Sequence, residues 1–107
     1  MIETISLSAM TEVPLVIVIA QRPGPATGLP TWTAQADLNL AIYAGHGEFT
    51  KCVIAISDPQ SAFSLIQQAF NIAEQYHIPV IVLTEKTIAE SYQVVDQFKQ
   101  YQITIER

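Results

Sequence analysis

With 107 residues the chain has the length of one domain, one that should bury roughly 60–70% of its unfolded surface. Ten acidic against five basic side chains give a net charge of −5, which argues against a nucleic-acid-binding surface. Hydrophobic residues make up 50% of the chain and charged residues only 14%, so some apolar surface is expected to meet a partner.

The first predicted element is a helix over Met1 to Glu12, where Ile2, Ile5, Ala9 and Met10 fall near helical spacing with Leu7 between them. Pro14 stops that pattern. The helix starts with neither a capping residue nor a lead-in, which raises the expectation of a missing upstream segment. Leu15 to Ala20 then reads as a buried strand. The apolar run that contains it, Val13 to Ala20, is far shorter than the roughly 18 residues of a membrane span, and the chain opens with no basic leader. A soluble, cytoplasmic location without membrane contact is therefore expected.

Directly after this strand comes Arg22-Pro23-Gly24-Pro25-Ala26-Thr27-Gly28-Leu29-Pro30-Thr31, the most informative segment of the chain. Gly24 and Gly28 are expected to permit positive φ and close backbone approach, while Pro23, Pro25 and Pro30 restrict the loop before anything binds. Ligands of open α/β sheets sit beyond the carboxyl ends of the strands, so a guanidinium delivered there suits a carboxylate or phosphate through a bidentate grip. Thr27 and Thr31 add hydroxyls, and Trp32 adds a large apolar plate. The competing reading is a surface turn with a solvated arginine.

Thr33 to Tyr43 is predicted as a short helix, with Leu38, Ala41 and Ile42 on one side and Gly45 or Gly47 ending it. A second strand is expected over Cys52 to Ile56. Cys52, the sole cysteine, reads as a small core residue; one cysteine excludes an intrachain disulfide and an iron–sulfur cluster held by this chain alone. Ser57-Asp58-Pro59-Gln60 offers either a Ser57–Gln60 capping box or an Asp58 cap with Pro59 at the first helical position. The long helix that follows, to about Tyr76, should cover a sheet face with Phe63, Ile66, Phe70 and Ala73. Pro79 introduces a third strand, Val80 to Leu83, whose unbroken apolar character suits a parallel strand covered on both faces. Thr87 to Glu90 resembles a capping box for a helix through about Val94, and Ile103 to Ile105 is a possible last strand. The alternation predicts an α/β fold: a three-layer open sheet of mostly parallel strands with helices on both faces. Strand order is not legible.

Three further residues have both functional and structural readings. His46, between two glycines, could contact a ligand or simply be a polar helix exit. Asp37 could pair with Arg22 or complement a helix dipole. His77 reads as a favourable cation at a helix end. No residue cluster has zinc-ligand spacing, no metal site is expected, and no Ser-His-Asp set or phosphate-binding Gly-rich loop is visible.

Met1-Ile2-Glu3, Met10 to Val18, the Gln21 to Thr31 segment, Gln35, Asp37-Leu38, Gly45-His46-Gly47-Glu48, Ala69 to Glu74 and Pro79 to Thr84 together resemble the alpha subunit of 2-oxoacid:ferredoxin oxidoreductases, especially the 2-oxoglutarate type. The likeness runs to about Phe98. It implies that residues 1–107 are a single, partial pyrimidine-binding domain of the thiamine-diphosphate-binding fold, N-terminally incomplete. It also implies an oxidative decarboxylation of a 2-oxoacid to an acyl-coenzyme A with reduction of ferredoxin. On the same resemblance Arg22 would hold the substrate carboxylate, Gly24, Thr27, Gly28 and Thr31 would shape its pocket, and Asp37 and His46 would be auxiliary.

The family's upstream Tyr-Pro-Ile-Thr-Pro segment and the glutamate that contacts the aminopyrimidine are not in this sequence, and Glu3 and Glu12 are not credible substitutes. No catalytic residue is therefore assigned. Thiamine diphosphate and magnesium are expected mostly on other parts of the assembled enzyme and an iron–sulfur cluster on another subunit, with none on the isolated chain. The implied partners are the remainder of the alpha subunit and the beta subunit, with a homo-oligomer possible. The alternatives are a non-catalytic α/β interaction module or remnant, and a free-standing small-anion binder.

Overall fold

A computed structural model describes residues 1–98, so the strand expected at Ile103 to Ile105 lies outside the described residues. The elements run α1 (Ile2–Thr11), β1 (Leu15–Gln21), α2 (Leu38–Tyr43), β2 (Cys52–Ala55), α3 (Pro59–Tyr76), β3 (Pro79–Glu85) and α4 (Lys86–Glu90). The three strands form one parallel sheet in the order β1-β3-β2, with Leu15 opposite Pro79, Gln21 opposite Glu85, and Cys52 opposite Val80.

The order explains why helices lie on both faces. The chain moves outward from β1 to β2 and returns from β2 to β3, and two crossovers of the same hand in opposite directions must place their helices on opposite sides. Accordingly, Ala41 and Ala44 join Ile5 of α1 against Ile81 and Leu83, with Ile17, Ile19 and Val53 beside them. On the other face Ala69 and Ala73 of α3 meet Val80 and Val82, flanked by Val16, Cys52 and Ile54. Successive strand residues thus serve opposite layers, as the pleat requires. β3 is central and fully covered, which is why its run from Pro79 to Leu83 is uninterruptedly apolar.

Several boundaries differ from expectation. The helix-forming part of Thr33 to Tyr43 shrinks to Leu38–Tyr43, because the preceding residues are drawn into side-chain bonds with β1 and β3. At the other end of α2, the Lys51 ammonium donates to the carbonyls of Ile42 and Ala44 and lies 4.3 Å from the Phe49 ring centroid. Burial there pushes the Lys51 pKa below its ordinary value. The α3 start resolves to the Asp58 alternative: Asp58 Oδ1 accepts the Ser61 N–H at 2.8 Å, Ser61 Oγ accepts the Asp58 N–H at 3.0 Å, and Pro59 opens the helix. The buried stripe of α3 is centred on Ala69 and Ala73, whose small side chains let the helix approach the sheet, and Phe70 stays 52% exposed.

The Thr87–Glu90 capping box does not form, nor does the helix reach Val94. α4 springs directly from the end of β3 with Glu85 as its N-cap, so Thr87 is already inside the helix and Glu90 instead pairs with Lys86 at 2.6 Å. On α1, Ile5 is fully buried, whereas Leu7 and Met10 face outward. No helix among the described residues is long and apolar enough to cross a membrane.

Candidate functional site at the strand tips

Arg22 follows the last residue of β1, and its half-buried side chain turns onto backbone. Nε donates to the Pro30 carbonyl at 3.0 Å, while Nη1 donates to the carbonyls of Gln21 at 2.9 Å and Ala20 at 3.2 Å. The guanidinium therefore closes the loop from within, tying its entry to Pro30. It has no ion pair among the described residues, and the protein groups that meet its charge are backbone carbonyls. Nε and Nη1 are already occupied, which leaves Nη2 as the nitrogen open to an incoming acid group. The bidentate grip expected from the sequence would require one of these backbone bonds to open.

The loop itself departs from the glycine expectation. Neither Gly24 nor Gly28 takes positive φ; the left-handed step falls on Ala26 at φ 54°. Gly24 precedes Pro25, whose ring disfavours helical conformations in the residue before it. Around Gly24 there is nothing within 4 Å of an added Cβ, so what it supplies is open space beside the backbone. Thr27, Thr31 and Trp32 are exposed, the last held by a turn bond from its N–H to the Leu29 carbonyl at 3.1 Å.

Asp37 is brought to Arg22, but at the backbone: its Oδ2 accepts the Arg22 N–H at 3.2 Å. In return the Gln21 side-chain Oε1 accepts the Asp37 N–H at 3.2 Å. This reciprocal clamp explains why Asp37, although it is the N-cap of α2, makes no side-chain capping bond. His46 is not part of this cluster. Its Nε2 lies 2.8 Å from Glu3 Oε1, and its N–H donates to Ser6 Oγ at 2.8 Å, so it fastens the segment after α2 to α1. His77 is the left-handed C-cap of α3, and its Nδ1 donates to the Glu12 carbonyl at 3.0 Å, in keeping with a structural role.

A cavity of about 270 Å³ opens at the carboxyl ends of all three strands, lined by Gln21, Gln35, Ser57, Thr84, Glu85 and Ile88, among others. A larger concavity of about 380 Å³, with Glu12, Phe49, Tyr76 and His77 on its wall, is at the opposite end of the sheet. The strand-tip cavity is the better candidate despite its size, because ligands of open parallel sheets bind at the carboxyl ends of the strands. Sequence reasoning missed Gln21, Thr84 and Glu85: each ends an apolar run, and a polar terminus on a buried strand was the signal available. Arg22 borders this cavity through Gln21 and does not itself line it.

The family model for the pyruvate flavodoxin/ferredoxin oxidoreductase, thiamine-diphosphate-binding domain matches residues 1–107. The chain belongs to this family. Among oxidoreductase relatives, the 2-oxoacid:ferredoxin oxidoreductase 1, subunit alpha, of Sulfurisphaera tokodaii is 52% identical over 95 residues, covering 89% of this chain and 15% of that protein. The 2-oxoglutarate oxidoreductase subunit KorA of Mycobacterium tuberculosis is 46% identical over 87 residues, covering 81% of this chain and 13% of its own. A solved 2-oxoglutarate:ferredoxin oxidoreductase from Magnetococcus marinus, with 2-oxoglutarate, coenzyme A and succinyl-CoA bound, superposes with a TM-score of 0.77 at 41% identity. It covers 80% of this chain and 15% of the solved chain. The chain therefore spans about 15% of the length of such relatives.

Thiamine diphosphate is the cofactor that the family description names. The described residues do not fit its diphosphate and metal end: no group of three or more His, Cys, Asp or Glu side chains is placed to hold a metal ion. The strand-tip cavity carries a carboxylate at Glu85 and no cationic side chain, which disfavours a diphosphate there.

Proposed function

We propose that this segment is part of the alpha subunit of a 2-oxoacid:ferredoxin oxidoreductase, a partial pyrimidine-binding domain that contributes the Arg22 loop to the site for the substrate carboxylate. The observation that carries the reading is a half-buried guanidinium at the end of β1, fixed by three backbone carbonyls and without a carboxylate partner among the described residues. A partly buried guanidinium with no carboxylate partner among the described residues is free to take an anion that arrives from outside. Gly24, with open space around its Cα, and the exposed Thr27, Gly28 and Thr31 form the approach to it. Asp37 holds the Arg22 backbone, and His46 acts at a distance from this loop.

The overall reaction is the oxidative decarboxylation of a 2-oxoacid such as 2-oxoglutarate to an acyl-coenzyme A, with electrons passing to ferredoxin. Thiamine diphosphate supplies the carbanion chemistry when bound, with magnesium and the cluster on other parts of the assembly. The role of this segment's own residues is to bind and orient: Nη2 of Arg22 takes the carboxylate while the loop stays closed by Nε and Nη1.

The test is assembly of the alpha and beta subunits with Arg22→Ala. Loss of 2-oxoacid oxidation by about a hundredfold or more, with the complex intact, supports the reading. Unchanged kinetics would exclude it, and a stable complex inactive even with Arg22 present would favour the interaction-module alternative.

A further inference from the structure

In the order β1-β3-β2, all seven residues of β1 from Leu15 to Gln21 are paired with β3 on one side, and no strand among the described residues lies on the other. Alternate residues of a strand aim their N–H and C=O groups at opposite edges, so about half of the β1 backbone groups face outward without a ladder partner. Natural edge strands are blunted by shortness, charge or proline. β2, at the far edge, follows that rule with four residues and Lys51 directly before it. β1 does not, because Leu15 to Gln21 holds neither a charged residue nor a proline.

The side chains along this edge are as unfinished as the backbone. Val16 packs toward α3, but Val18 and Ala20, which share its face of the pleat, stay uncovered, Val18 at 57% exposure. Beside them Phe70 is half-exposed, and a cavity of about 70 Å³ opens between Pro14, Leu15 and Val16 on one side and Phe70, Ala73 and Glu74 of α3 on the other. The unpaired backbone selects a strand as the partner, and a face of valine, alanine and phenylalanine selects apolar side chains on that strand.

We propose that the open edge of β1 receives an extended apolar segment from the remainder of the alpha subunit, which adds a strand to the sheet and covers Val18 and Ala20. This rests on the reading above in which the chain is part of such a subunit. The chain spans about 15% of the length of its relatives, so on that reading most of the subunit is polypeptide beyond these residues. Tethering decides between such a segment and a second copy of this chain. A segment of the same polypeptide meets the edge at an effective concentration of roughly millimolar, whereas a second copy brings only its own concentration.

The experiment uses the assembled alpha–beta oxidoreductase in two forms. In the unaltered enzyme, hydrogen exchange is read residue by residue along β1. Both alternating sets of amides from Val16 to Gln21 should exchange at least about a hundredfold more slowly than exposed loop amides. In the second form the photocrosslinker p-benzoylphenylalanine replaces Val18, and peptide mapping should find the crosslink on an alpha-subunit peptide outside this segment, with no alpha–alpha dimer on a denaturing gel. Rapid exchange of one alternating set in the unaltered enzyme overturns the proposal, because it marks the edge as open. A crosslink to the beta subunit, or to this same segment of a second alpha subunit, overturns it by giving the edge another occupant. Arg22→Ala assayed in the same assembly separates the two readings. An open edge together with lost 2-oxoacid oxidation overturns this proposal and leaves the role of Arg22 standing, while a protected edge with unchanged oxidation supports the proposal and overturns that role.

Discussion

The Thr33 hydroxyl donates to Glu85 Oε2 at 3.1 Å, joining residues 52 positions apart in the chain. It fastens the far end of the Arg22 loop to the end of the central strand. Thr33→Val removes the donor at constant shape and should lower global stability by less than about 1 kcal/mol, since the bond is exposed. Amide exchange over residues 23–33 should accelerate while that of β3 is unchanged, and hydrogen-exchange mass spectrometry reads both at once.

Arg22→Lys tests whether charge or shape closes the loop. Lysine keeps the charge but loses the planar fork that reaches Pro30, Ala20 and Gln21 together. A loss of about 1–3 kcal/mol in urea unfolding is expected, with faster exchange at residues 23–31. Retention of wild-type stability would show that the three carbonyl bonds do not hold the loop.

Gly45 and Gly47 form a matched pair. Both have positive φ, 112° and 76°, but a Cβ on Gly45 would run into the Phe49 ring, whereas Gly47 has open space. Phe49 packs against the Ile5–Ile81 cluster, so its ring has little room to retreat. Gly45→Ala should cost more than about 2 kcal/mol and Gly47→Ala about 1 kcal/mol, measured by denaturant unfolding.

Asp58 links the α3 cap to pH. Bonds from the Ser61 backbone first, then the Ser57 side chain, hold its carboxyl below the usual aspartate range. A folded-state pKa below the unfolded one contributes stability that is fully present above the ordinary value of about 3.9 and is lost as pH falls through the lowered folded value. Melting temperature should therefore drop more steeply below about pH 4 in the wild type than in Asp58→Asn, which keeps an acceptor for Ser61 but does not titrate. Parallel melting curves for the two proteins would remove Asp58 from the acid transition.

Much of the fold was legible because the signals were local. The strands follow from unbroken apolar runs, and α3 from Asp58-Pro59 followed by apolar residues at helical spacing. The shortened α2 and α4 were not legible: their ends are set by Gln21 reaching Asp37 and by β3 passing straight into a helix with Glu85 as its cap. Propensity does not report such contacts. At the site, Arg22 was marked by its loop, whereas Gln21 looked like one more polar residue after a strand.

The sequence by itself determined the alternation of strands and helices, the buried character of β3 and the placement of an arginine at a strand end, since each depends on neighbours within a few residues. Only the tertiary structure decided the order β1-β3-β2, the spending of Nε and Nη1 on backbone carbonyls, and the meeting of Gln21, Thr84 and Glu85 around one cavity. The reason is physical: strand pairing and the bonds of Gln21 with Asp37 and of Thr33 with Glu85 join residues well separated in the chain, and the guanidinium reaches Pro30 only once the loop has folded back onto the end of β1.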